Sequence, residues 1–286
     1  MNKWPWAKLT GFPPLGRVLM FLLIVVVLWA PLALPLYALA GQGVLPGGDI
    51  FPTALLYVVF LLVLPRWERR VRGETQPWAK VGFAGWRGLA RGMAVGAALG
   101  ALSIAVLAVV QLGLGWANVD LAGARGLGLL QVAAVGALAA TAVGWSEEVL
   151  FRGWLLRELE QGWTPGVALG VTSLIFAIAH FIKPLDAILA LLPQFAGLLL
   201  LGFVLGWARR IAIAPGETGL GHPVGLHAGL VWGYYLLEVG NLLRPTGRVP
   251  AWVTGLDGNP LAGLLGLTLL AGLGVLLFRW SRSPDR

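Results

Sequence analysis

Eight apolar runs follow one another along this chain, at about 18–40, 51–64, 89–114, 127–145, 165–181, 185–207, 223–237 and 260–278, with charge gathered mainly between them. A helix needs roughly 20 apolar residues to cross a bilayer, and inside lipid a helix satisfies its own backbone hydrogen bonds. The runs therefore predict an all-α integral membrane protein: a bundle of about eight transmembrane helices, forming a single multi-pass domain over 1–286. The composition, 58% hydrophobic and 12% charged, excludes a water-soluble globule. Within the third run Gly92, Gly96 and Gly100 lie on one helical stripe, where a neighbouring backbone can approach closely.

The net charge of +8 does not point to nucleic acid, because the positive residues cluster at the ends of apolar runs. Lys3, Lys8 and Arg17 precede the first run. Arg66, Arg69, Arg70, Arg72, Lys80, Arg87 and Arg91 lie between the second and third, Arg209 and Arg210 follow the sixth, and Arg279, Arg282 and Arg286 close the chain. With eight spans all of these share one side, and basic loops face the cytoplasm. The expectation is a cell-membrane protein with both termini cytoplasmic; Arg244 and Arg248 fall on the other side. Trp67 and the pair Trp86–Arg87 fit interfacial anchors. Lys3, Lys8 and Ala38-Leu39-Ala40 imitate a cleavable signal, but the run between them is longer than a signal core and reads as an uncleaved first span. The absence of cysteine excludes thiolate nucleophiles and cysteine-ligated zinc.

Against this background Glu147-Glu148-Val149-Leu150-Phe151-Arg152 is an anomaly, and all three histidines, His180, His222 and His227, follow it. Carboxylates and imidazoles are costly in hydrocarbon and are the usual groups of acid–base chemistry. On a helix Glu148 and Arg152, four apart, can pair on one face while Glu147 points elsewhere. The same residues suit equally a juxtamembrane salt bridge, extended by Arg157, Glu158 and Glu160. Gln161-Gly162-Trp163-Thr164-Pro165-Gly166 reads as a helix–helix turn. Glu147 stands as far before its Trp163–Thr164 bond as His180 stands after it. In an antiparallel hairpin both then sit roughly 24 Å from the turn, at 1.5 Å per residue. Either the fifth helix is short or Lys183 is buried, because Lys183-Pro184 follow His180 so closely. His227 lies a short way into the seventh run, whereas His222, before Pro223, reads as an interfacial cap.

Glu147-Glu148-x-x-x-Arg152, then Phe176-x-x-x-His180, then His227 resembles the CPBP family of intramembrane proteases over about 127–240. The family includes the type II CAAX prenyl endopeptidases and the bacteriocin-processing or immunity proteins of the Abi group. The resemblance implies Glu147 as the base that activates water, Glu148, Arg152 and Phe176 as supporting residues, and His180 and His227 as oxyanion stabilisers or metal ligands. Many members carry Asn four residues after the last histidine; here that position is Val231. Glu147, His180 and His227 would also make a zinc site with an open water position, although the HExxH signature of zinc proteases is absent. The implied activity is an endopeptidase acting on a membrane-associated or prenylated peptide. A non-catalytic peptide-binding or immunity protein is the alternative. A transporter or proton relay ranks behind both, since no inverted repeat stands out.

Overall fold

The structure, a computed structural model, describes residues 9–45, 48, 50–83, 85–120, 127–214 and 217–283. Lys3, Lys8 and Arg286 of the charge pattern lie outside the described residues. Helices α1 (Pro14–Gly41), α2 (Ile50–Arg70) and the short α3 (Pro77–Val81) lead to α4 (Trp86–Gly113). Strand β1 (Ala117–Val119) precedes α5 (Leu127–Glu148), which continues through a π-helical stretch, Val149–Leu155, into α6 (Leu156–Leu159). Next come α7 (Pro165–Ala179), α8 (Leu185–Leu191), a 3₁₀ turn at Leu192–Gln194 and α9 (Phe195–Arg209). The short strands β2 (Ala212–Ala214) and β3 (Glu217–Thr218) pair before α10 (Gly221–Glu238). Strand β4 (Leu243–Pro245), α11 (Ala251–Thr254), two 3₁₀ turns and α12 (Leu264–Ser281) complete the chain, with β4 antiparallel to β1.

Each of the eight apolar runs thus carries a helix. Among the described residues five stretches, 14–41, 50–70, 77–113, 128–159 and 185–209, are long and apolar enough to cross a membrane, and Pro165–Ala179 and Leu264–Trp280 are shorter apolar helices. The architecture is that of an all-α membrane protein. The side chains agree: on α1 Phe21 and Val25 are buried while Leu19, Leu23, Val27 and Leu34 are exposed. An outward apolar face of that extent suits lipid rather than water.

Helix α10 is held most extensively by α4, and the reason is glycine on both sides. A Cβ added at Gly96 would collide with the His222 carbonyl oxygen, and one at Gly100 would stand 2.6 Å from that of Leu226. Reciprocally, a Cβ at Gly225 would run into the Met93 carbonyl and one at Gly229 into that of Ala97. The stripe Gly92–Gly96–Gly100 therefore does what its spacing suggested, and it meets a second stripe on α10. Without a hydrophobic driving force between helices in lipid, such backbone-to-backbone packing is what fixes one helix on another. It sets the height of His227.

Trp67 departs from expectation. It is 1% exposed, not an interfacial anchor. Its ring meets Phe21 edge-on at 5.3 Å, and Phe21 stacks on Trp154 at 4.1 Å. The aromatic cluster ties α1 and α2 to the π-helical stretch and outweighs the headgroup preference of a lone tryptophan. Trp86, by contrast, is exposed beneath the Arg87 guanidinium. The charges past Arg152 are also structural. Glu158, buried, pairs with Arg17 and lies 3.9 Å from Arg72; Arg157 pairs with Glu68 at 3.1 Å and Glu74 at 3.3 Å; Arg210 pairs with Glu160 at 2.9 Å. These pairs lock α1, α2 and α9 to the hairpin formed by α6 and α7.

Candidate active site

The π-helical stretch begins directly after Glu148. A π turn widens the helix and is found most often at functional sites; here it carries Phe151, Arg152, Trp154 and Leu155 all into the interior. Glu148 is fully buried and its Oε1 accepts from Arg152 Nη1 at 2.8 Å. Arg152 Nη2 donates to the Gly202 carbonyl at 3.1 Å, and its guanidinium lies 4.5 Å over the Phe176 ring. A buried charge pair survives only when its groups find partners; these contacts supply them for Arg152 and for Glu148 Oε1, while Glu148 Oε2 is buried with no hydrogen bond among the described residues. The pair is thus an interior element, not a snorkelling salt bridge.

Glu148 has a second task. The same Oε1 accepts from His227 Nδ1 at 2.9 Å. His180 Nδ1 donates to the Phe176 carbonyl at 2.8 Å. Carboxylate and carbonyl oxygens only accept, so both imidazoles carry hydrogen on Nδ1 and, when neutral, a lone pair on Nε2. Both Nε2 atoms face one oxygen: His180 Nε2 and His227 Nε2 each lie 3.9 Å from Glu147 Oε2. Phe176 spaces the two rings, with centroids 4.6 Å from His180 and 6.2 Å from His227.

The structure therefore brings His180 and His227 to one oxygen of Glu147, with Glu148, Arg152 and Phe176 behind them. A separation of 3.9 Å is too long for a direct hydrogen bond, yet a single water at about 2.8 Å from each atom spans it. The equal offsets of Glu147 and His180 from the turn correspond to an actual approach. The ambiguity after His180 resolves as a short helix, since α7 ends at Ala179 and Lys183 is exposed. His222 is buried in the first turn of α10 against the Trp280 ring, 5.5 Å between centroids. It is not among the residues lining the cavity that His180 and His227 border.

Zinc bonds of about 2.0–2.1 Å at tetrahedral angles hold neighbouring donors about 3.3 Å apart. The 3.9 Å separations are wider, and among the described residues no group of three His, Asp or Glu is gathered closely enough to hold an ion. In this arrangement the three groups stand wider apart than a bound zinc would hold them, and the reaction is derived without a metal.

His180 and His227 border a cavity of about 250 Å³ whose walls are chiefly apolar, including Leu107, Leu201, Leu230 and Leu270. Val231 is in its lining, as are Gln194, Tyr234 and Asn259. An adjoining cavity of about 390 Å³ shares Ile104, Leu107, Tyr234 and Pro260 and reaches the 243–258 connection, beyond the end of α10 remote from Gly221. Sequence reading missed Gln194, Tyr234 and Asn259. The one available signal was Pro193, a break in an otherwise apolar run, and broken backbone at membrane depth is tolerated where it lines a cavity.

Residues 129–233 match a family model described as type II CAAX prenyl endopeptidase Rce1-like. The chain matches no curated protein and no solved structure. The matched stretch holds Glu147, His180 and His227 and nearly coincides with the 127–240 core read from sequence. The segment that builds this site is thus similar to the Rce1-like type II CAAX prenyl endopeptidases, in line with the resemblance its motifs carry.

Proposed function

We propose that the protein is an intramembrane endopeptidase that hydrolyses a peptide bond with water activated by Glu147. The observation that carries this reading is the approach of both imidazole Nε2 atoms to one carboxylate oxygen, each at 3.9 Å, a gap that a bridging water fills. Glu147 takes a proton from the water as its oxygen attacks the carbonyl carbon. The same proton then passes to the departing amine nitrogen as the C–N bond breaks. The water's other hydrogen is shared in a three-centre bond between Nε2 of His227, fixed by Glu148, and Nε2 of His180, fixed by the Phe176 carbonyl, which aims the water's lone pair. The apolar cavity beside them suits a prenyl chain or a membrane-spanning peptide segment, in keeping with the matched family.

On this reading the chain is one multi-pass domain in the cell membrane, with the basic loops and both termini cytoplasmic. The purified protein in lipid nanodiscs is expected to cleave a farnesylated CAAX peptide faster than its unprenylated counterpart, and to do so undiminished after chelation. Equal rates would remove the prenyl chain from the account.

Zinc held by Glu147, His180 and His227 is a second reading. It is favoured by the ties on both Nδ1 atoms, which resemble the outer hydrogen bonds of metal-ligating histidines. Activity abolished by chelation and restored by zinc would establish it.

A further inference from the structure

With their Nδ1 hydrogens committed to the Phe176 carbonyl and to Glu148, the imidazoles, when neutral, present acceptors at Nε2 beside the Glu147 carboxylate. That suits the attacking water and leaves the other half of the reaction unserved. As the water oxygen bonds to the carbonyl carbon, the C=O electron pair moves onto oxygen, and the negative charge needs a hydrogen-bond donor already in place. Val231, one turn beyond His227, is aliphatic and cannot donate.

The cavity contains one amide whose orientation is dictated by its partners. The Leu261 backbone N–H donates to Asn259 Oδ1 at 2.9 Å. An N–H can only donate, so the other terminal atom of Asn259 is its NH₂ group. That group donates to Gln194 at 2.6 Å, and the atom that receives it must be the Gln194 oxygen. Gln194 Nε2 is thereby left with its hydrogens uncommitted, and it makes no hydrogen bond among the described residues. Gln194 closes the 3₁₀ turn at Leu192–Gln194 and lines the same cavity as His180 and His227.

We infer that Gln194, aimed by Asn259, donates a hydrogen bond to the scissile carbonyl oxygen as it becomes an oxyanion. This rests on the hydrolytic reading above. The Gln194 proton is not transferred. The charge on oxygen returns to the carbonyl when the C–N bond breaks and the amine leaves with the proton held by Glu147. Gln194 is then a catalytic residue and Asn259 a positioning one.

The test uses steady-state hydrolysis of the farnesylated CAAX peptide by full-length protein in nanodiscs. Gln194→Leu removes the donor and is expected to lower kcat roughly 10²–10³-fold with KM little changed. Asn259→Asp is the sharper variant. It keeps shape and the acceptor for the Leu261 N–H, but replaces the NH₂ group by a second acceptor. The Gln194 amide should then turn over and present its oxygen to the cavity. A similar loss in kcat is expected, with thermal unfolding at the wild-type temperature and no further loss when both substitutions are combined. A purely structural Gln194–Asn259 contact would instead move unfolding temperature and leave kcat alone. Glu147-dependent hydrolysis that proceeds at wild-type kcat in either variant overturns the role of Gln194 and leaves the reading of the site intact. Hydrolysis that is absent, or indifferent to Glu147→Gln, overturns that reading and this role with it.

Discussion

Glu147→Gln is expected to lower peptide hydrolysis by roughly 10²–10⁴-fold, the usual contribution of a positioned general base, while the protein still folds and binds substrate. Glutamine keeps the size of the side chain and its oxygen acceptor, so the 3.9 Å approaches to His180 and His227 can persist. What is lost is the ability to take a proton. The substitution also divides the two functional classes that the sequence left open. A membrane protein that only sequesters a peptide would retain its phenotype in the Gln variant. A protease would lose its phenotype with its turnover. The check is hydrolysis and peptide binding measured on the same preparation; wild-type rates in the variant would remove Glu147 from the chemistry.

Arg152→Leu is expected to be the most damaging single change to stability, by about 3–5 kcal/mol, because it leaves the fully buried Glu148 without its cation. The loss should appear as a lower unfolding temperature in detergent. Combining Arg152→Leu with Glu148→Leu should recover much of the stability, since replacing both members of a buried pair by apolar groups is far cheaper than removing one. Hydrolysis should not recover with it. Glu148 is also what holds His227 through Nδ1 at 2.9 Å, so the double variant folds around an unheld imidazole. Stability restored without activity is the signature expected of a pair that serves the site. Recovery of both would make Glu148 and Arg152 a packing element alone.

Much of this arrangement was legible in the sequence because it follows from spacing. The i,i+4 relation of Glu148 and Arg152 is local, and the equal offsets of Glu147 and His180 from one turn need only a hairpin of two helices. Gly92, Gly96 and Gly100 announced a close helix contact in the same way, though not that Gly221, Gly225 and Gly229 of α10 would answer them. What escaped depends on contacts between distant segments. Nothing near Trp67 says that Phe21 and Trp154 will enclose it. Gln194 and Asn259 lie 65 positions apart, and only the fold makes one orient the other. The shared use of Glu148 by Arg152 and His227 is of the same kind, since His227 arrives from 79 residues away.

The central claim is that Glu147, His180 and His227 hold one water between them. An experimental structure in lipid, at a resolution that shows ordered water, tests this most directly. The expected result is a single water peak about 2.8 Å from Glu147 Oε2 and from both Nε2 atoms. A peak at about 2.0–2.2 Å with the anomalous signal of zinc, or a Glu147 carboxylate turned away from both imidazoles, would contradict it.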